Sequence, residues 1–216
     1  NPLTTQIESH DWQAELYSTV SHANRIMHNL CVDVWMYISR GVFAQVPVKG
    51  ATGSSTMPHK RNPAVLENVL ALCRNVRSIA PSIVESMVSE NERDWGCFLS
   101  EWEAIPRACH MFGAALQKSK YILENLIVYE KHMERNLNAQ KGLMMSECVM
   151  MHLARKLGRL TAHEIVYKSC MKAYEQEVPL KQILMQTPEV TQAFTEEEVD
   201  LMLNPHSYIG LAPEFV

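Results

Sequence analysis

The chain has 216 residues, a formal net charge of −4 and 47% apolar residues, enough for one large domain or a domain with a smaller companion. No basic tract stands out, so nucleic acid is not expected as a partner, and no apolar run approaches the roughly 18 residues a membrane span needs. Methionine (13) outnumbers phenylalanine (5), and only 8 glycines and 10 prolines are present, a balance that suits helices better than sheets.

The first predicted element covers residues 11–39. Leu16, Val20, Ala23, Met27, Leu30, Val34 and Tyr37 step by four and three, the seam of a bundled helix. At about 1.5 Å per residue it is roughly 40 Å long. Gly41 ends it, and a connection containing Pro47, Gly50, Gly53 and Pro58 runs to Pro63. A loop of this length in a helical protein tends to be functional or disordered. Asn62-Pro63 reads as an N-cap followed by a first-turn proline. From there Leu66, Val69, Cys73, Val76, Ala80, Ile83 and Met87 continue a second helix, kinked at Pro81.

Residues 89–96 form a second polar break. A third helix is predicted over 99–126, carrying Trp102, Ile105, Cys109, Phe112, Leu116 and Leu123, with Trp95 and Trp102 expected in the core. Shorter helices follow near 130–138 and 146–157. Thr161 with Glu164, flanked by Leu160 and Ile165, reads as a capping box with a hydrophobic staple; Thr195 with Glu198 repeats the box. The fold expected is all-α, with a long-helix bundle over 1–129 and a smaller helical domain over 130–216. No strand-rich segment and no internal repeat is apparent.

Six cysteines without a C-x-x-C pair read as reduced core thiols in a cytoplasmic protein. The histidines form no H-x-x-x-H or H-E-x-x-H pair, and there is no Gly-rich phosphate loop, so neither metal nor cofactor is expected. The methionines around Cys148 read as core.

The chemically dense stretch is GSSTMPHKRNP, residues 53–63. Its backbone amides around Gly53, Ser54, Ser55 and Thr56 are suited to an anion-binding nest, and the helix beginning near Pro63 adds a positive end. Lys60 contributes a full charge and Asn62 a side-chain donor. Preorganised donors of this kind stabilise charge that develops in a transition state.

The stretch resembles the signature loop G-S-S-x-M-P-x-K-x-N-P of the fumarase/aspartase superfamily, matching it at every specified position. That resemblance runs from NPLTTQIE near the start to NPHSYIG near the end. It implies a helical homotetramer whose active sites are shared between subunits. Such enzymes abstract a proton beside a carboxylate of a small dicarboxylate or N-substituted aspartate. By the same resemblance Ser54 is the base, and Lys60 and Asn62 stabilise the aci-carboxylate. Glu67 holds a histidine of another subunit; Gln6, Ser55, Thr56, Met57 and Arg93 contact substrate. Family subunits are about twice this length, so the segment bearing the general acid is expected to lie outside the chain, leaving this portion inactive alone.

Two branches of the superfamily compete. NPLTTQIESHDWQAELY and MPHKRNP are similar to adenylosuccinate lyases. Those enzymes, however, follow Arg-Asp with a serine and an arginine that grip phosphate, where this chain has Phe98 and Trp102. An aromatic ring offers neither the charge nor the donor fork of a guanidinium. ERDWGCFLSEWEAIP is similar instead to the E-R-x-x-G-x-W-x-x-E-W-E-x-L-P pattern of 3-carboxy-cis,cis-muconate cycloisomerases and relatives acting on N-substituted aspartates. The readings are a fumarate-releasing carbon–nitrogen lyase, a cycloisomerase, and an inactive helical scaffold.

Overall fold

A computed structural model describes residues 9–46, 54, 56, 57, 59–90 and 93–216. Gln6 and Ser55 lie outside the described residues. The chain divides into two compact units, Asn1–Tyr129 and Glu130–Val216.

The first unit is built on α1 (Asp11–Ser39), α2 (Ala64–Glu85) and α3 (Trp95–Glu124). The middle helix, α2, packs against both others. Leu66, Val69, Cys73, Val76 and Ile83 on it are fully buried, as their spacing predicted. On α3 the buried face is Glu101, Ala104, Ala108, Ala115, Ser119 and Ile122, and its three alanines and serine let two helices approach closely. The seams expected on α1 and α3 are therefore displaced. On α1 the buried stripe is Ala14, Tyr17, Asn24, Met27, Cys31 and Val34, whereas Leu16, Leu30 and Tyr37 are exposed. On α3 Leu116 and Leu123 are exposed as well.

The connection after α1 is not wholly loop. Gly41, at φ 71°, turns the chain into a strand, β1 (Phe43–Gln45), which pairs antiparallel with β2 (Leu126–Val128) in the register Phe43↔Val128. Strands of three residues carry no legible alternation, which is why composition and period missed them. This ribbon ties the exit of α1 to the exit of α3, and the Tyr129 amide donates to the Val42 carbonyl at 2.9 Å.

The α3 helix begins earlier than its apolar pattern implies, because Asp94 caps it: its carboxylate accepts from the Cys97 amide at 3.0 Å. Those amide contacts, from Cys97 first and Glu90 second, hold the Asp94 carboxyl below the usual carboxylate range.

The second unit comprises α4 (Glu130–Asn138), α5 (Ser146–Leu157), α6 (Arg159–Glu175), α7 (Leu180–Leu184), α8 (Pro188–Ala193) and α9 (Glu196–Leu203). Val149, Leu153, Leu180, Leu184, Val190 and Val199 form its sealed centre. The box at Thr195 and Glu198 is present, with both reciprocal bonds made. The box at Thr161 and Glu164 is not. Gly158, at φ 82° and ψ 155°, breaks the chain between α5 and α6, so α6 starts before Thr161. Glu164 instead accepts from Lys168 at 2.6 Å, and Leu160, 88% exposed, staples nothing. In the methionine run Met145 and Cys148 are buried, while Met144 and Met151 are exposed.

Among the described residues no helix is long and apolar enough to cross a membrane, and all six cysteines are free. Cys31, Cys73 and Cys148 are buried, Cys97 and Cys170 half-buried, and Cys109 exposed. Burial pushes the Cys31 thiol up to about 11.

Candidate active site

The signature stretch lies between β1 and α2. Ser54 is half-buried, and its hydroxyl oxygen accepts from two backbone amides, Met57 at 3.1 Å and Thr56 at 3.3 Å. Serine hydroxyls make such local turns routinely. The chemical consequence is specific: both donors stabilise negative charge on that oxygen more than they stabilise the neutral hydroxyl. The turn continues with the Lys60 amide donating to the Met57 carbonyl at 3.0 Å. Thr56, Met57, His59 and Lys60 are all exposed.

Asn62 is not the cap of α2. Pro63 occupies that position and makes no side-chain cap bond. Capping is supplied from β1 instead, where Gln45 Oε1 accepts from the Leu66 amide at 3.2 Å. A cap reaching across 21 residues leaves no local pattern, so the sequence did not disclose it. Helix capping therefore does not account for Asn62. Together with Arg61, Pro63, Gln45 and Tyr129 it lines a cavity of about 260 Å³ over the start of α2. Glu67, exposed in the first turn of α2, follows it, and its amide donates to the Pro63 carbonyl.

Arg93 is elsewhere. It immediately precedes Asp94, beyond the far end of α2. The 22 residues of α2 separate it from Asn62, a run of about 33 Å. One chain thus brings Ser54, Thr56, Met57, Lys60, Asn62 and Glu67 to one end of the bundle and Arg93 to the other.

The Arg93 end carries a surface cluster of aromatic rings. Trp95, Phe98 and Trp102 follow helical spacing, with centroids 5.7 Å (Trp95–Phe98), 4.8 Å (Phe98–Trp102) and 5.9 Å (Trp95–Trp102) apart. Trp95 and Trp102 are 56% and 59% exposed, contrary to the expectation of core packing. Spacing identifies a shared face; it does not say whether the chain itself covers that face.

Comparison with known proteins agrees in both units. The family described as "Lyase" matches residues 1–78, and the one described as "Adenylosuccinate lyase C-terminus" matches 142–216. A 3-carboxy-cis,cis-muconate cycloisomerase of Acinetobacter baylyi is 38% identical over 82% of this chain and 40% of its own length. An N-acetyl-S-(2-succino)cysteine lyase of Dickeya dadantii is 42% identical over 78% of this chain and 37% of its own. An adenylosuccinate lyase of Methanocaldococcus jannaschii is 40% identical over 76% and 36%. Among solved structures, a 3-carboxy-cis,cis-muconate lactonizing enzyme from Pseudomonas putida superposes with a TM-score of 0.87 at 30% identity, covering 98% of this chain and 48% of that one. The chain thus spans 36–40% of the length of these curated relatives.

Proposed function

From the premise that this chain belongs to the fumarase/aspartase superfamily, we propose that it forms the proton-abstracting part of a lyase that releases fumarate from an N-substituted aspartate. Ser54 acts as the base. Its alkoxide takes the proton from the carbon beside a carboxylate, and the electron pair passes into that carboxylate as an aci-carboxylate. The pair then returns to form the carbon–carbon double bond as the bond to nitrogen breaks. The leaving nitrogen takes its proton from a general acid, a histidine of another subunit held by Glu67. Lys60 and Asn62 stabilise the intermediate charge, the effect that is usually largest in such reactions. Ser55, Thr56, Met57, Gln6 and Arg93 bind substrate. The observation that carries this reading is the pair of backbone amides directed at Ser54 Oγ, which favour the ionised form the chemistry needs.

Since Arg93 and Ser54 lie at opposite ends of α2, a site using both draws on at least two copies of the chain. That requirement supports an oligomer with shared active sites, and the resemblance implies that the oligomer is a homotetramer. The exposed rings of Trp95 and Trp102, with the half-buried Phe98 between them, offer apolar surface in place of a phosphate grip, which argues for a substrate without a phosphate there. A second reading, closure or opening of a lactone by the same proton abstraction, is favoured by ERDWGCFLSEWEAIP and by the cycloisomerase relatives.

The test is Ser54→Ala in the intact polypeptide, assayed by fumarate absorbance against adenylosuccinate, argininosuccinate, N-substituted aspartates and carboxymuconate. Turnover should vanish with the oligomer intact. Undiminished activity would remove Ser54 as base, and product without fumarate would select the cycloisomerase reading.

A further inference from the structure

At the end of the bundle where α1 begins, three chemically different side chains converge. His10 stands at the cap position of α1, Cys97 in the first turn of α3, and Glu101 one turn further along α3. The i, i+4 spacing puts the thiol and the carboxylate on one helix face, and His10 closes the triangle from 91 residues away. The Nδ1, Sγ and carboxylate oxygen atoms all lie within 4.8 Å of one another, the closest pair being His10 Nδ1 and Glu101 Oε1 at 2.6 Å. We propose that these three residues bind a zinc-class divalent ion that staples the start of α1 to the start of α3.

Geometry permits it. Tetrahedral zinc, with bonds of about 2.0–2.3 Å, needs its ligand atoms roughly 3.3–3.6 Å apart. The His10–Glu101 pair, at 2.6 Å, is tighter than that and the other pairs lie within 4.8 Å, so the side chains have to spread to admit the ion. Electrostatics favours it. Glu101 is 4% exposed, and a carboxylate so enclosed requires a compensating cation or good donors. Two groups crowd the one oxygen Oε1, the His10 ring at 2.6 Å and the Ser86 hydroxyl at 2.7 Å, and the single Ser86 proton also faces the Ile83 carbonyl at 2.6 Å. The thiol is also steered, with Cys97 Sγ 3.1 Å from the Ser86 carbonyl. The donor set decides which ion. One nitrogen, one sulfur and one oxygen suit zinc or cobalt, whereas magnesium and calcium require oxygen cages. His10 and Cys97 are half-buried, so an ion can enter and a water can take the fourth position. Binding converts the thiol to thiolate and displaces the proton on His10 Nδ1; both protons leave to solvent.

Metal uptake and melting temperature are read without turnover, so the test does not rest on the elimination chemistry. The chelator-treated chain is titrated with cobalt(II) and followed by thiolate-to-cobalt absorbance, with zinc competition and thermal melts in parallel. One equivalent should bind, zinc should displace it, and zinc should raise the melting temperature. Cys97→Ala should abolish the absorbance and His10→Ala should weaken binding at least tenfold, while Cys109→Ser, which removes the exposed thiol, should change neither. A folded wild-type chain that takes up no cobalt, or absorbance that survives in Cys97→Ala, overturns the proposal and leaves a hydrogen-bonded knot of helix ends. Because the wild-type arm alone can refute it, the result stands even if a variant fails to fold.

Discussion

The separation of Arg93 from Ser54 makes a quantitative prediction about mixed oligomers. On the proposed assignment Ser54→Ala removes the base and Arg93→Ala the substrate-binding guanidinium, so each variant alone is expected to be inactive. Along the 22-residue α2 the two positions are about 33 Å apart, far beyond the reach of a succinyl-sized substrate. Each site must then take its Ser54 from one copy and its Arg93 from another. When the two variants are co-expressed in equal amounts and mix at random, roughly one site in four receives both intact residues. Oligomers carrying two different affinity tags, purified through both and assayed for fumarate by absorbance, should recover activity of that order. Mixed oligomers no more active than either parent would refute the shared-site reasoning. An Arg93→Ala parent with full activity would instead remove Arg93 from the site.

Three further outcomes follow from single features. Lys60→Ala should lower kcat by about 10²–10³-fold, the loss typical of one charge-stabilising donor, with the oligomer unchanged by size-exclusion chromatography. Gly158→Ala should destabilise the second unit by about 1–3 kcal/mol in denaturant melts. No atom lies within 4 Å of the added Cβ, so that cost is backbone strain at φ 82° rather than a clash. Asp94, held low by the amides it accepts from, favours the folded state above the ordinary carboxylate range, and that contribution fades as pH falls through its depressed folded value. Acid melts of Asp94→Asn should accordingly show less pH dependence in that window than the wild type.

Long elements were legible because their period repeats many times. The bounds 11–39 for α1 enclose a period carried by seven apolar residues, and Leu66 to Ile83 on α2 were placed correctly as core. Which stripe of α1 and α3 faces inward was not legible. Of the α1 seam, Met27 and Val34 are buried as expected, but Leu16, Leu30 and Tyr37 are exposed, and the chain buries Ala14, Tyr17, Asn24 and Cys31 in their place. Large apolar residues drew the expectation toward Trp102 and Leu116, while packing against α2 selected alanines. The candidate site was legible to the extent that it is local: the Ser54 turn spans four residues. The Gln45 cap and the His10–Glu101 contact join residues 21 and 91 positions apart, and a period cannot report either. Gly158 misled differently, since a glycine that both ends one helix and begins the next makes a downstream side-chain cap superfluous.

The ribbon of β1 with β2 and the reach of Gln45 to Leu66 have a consequence for how this scaffold can diversify. They fasten the polypeptide on either side of the reactive stretch, one clasp before it and one after it. Residues between the clasps can be exchanged without the bundle having to re-register, because the helices are held by other contacts. The composition of that stretch is thereby open to change while the long helices stay as they are. Substitutions at Gln45 itself should be felt throughout the stretch, although that side chain need never meet a substrate.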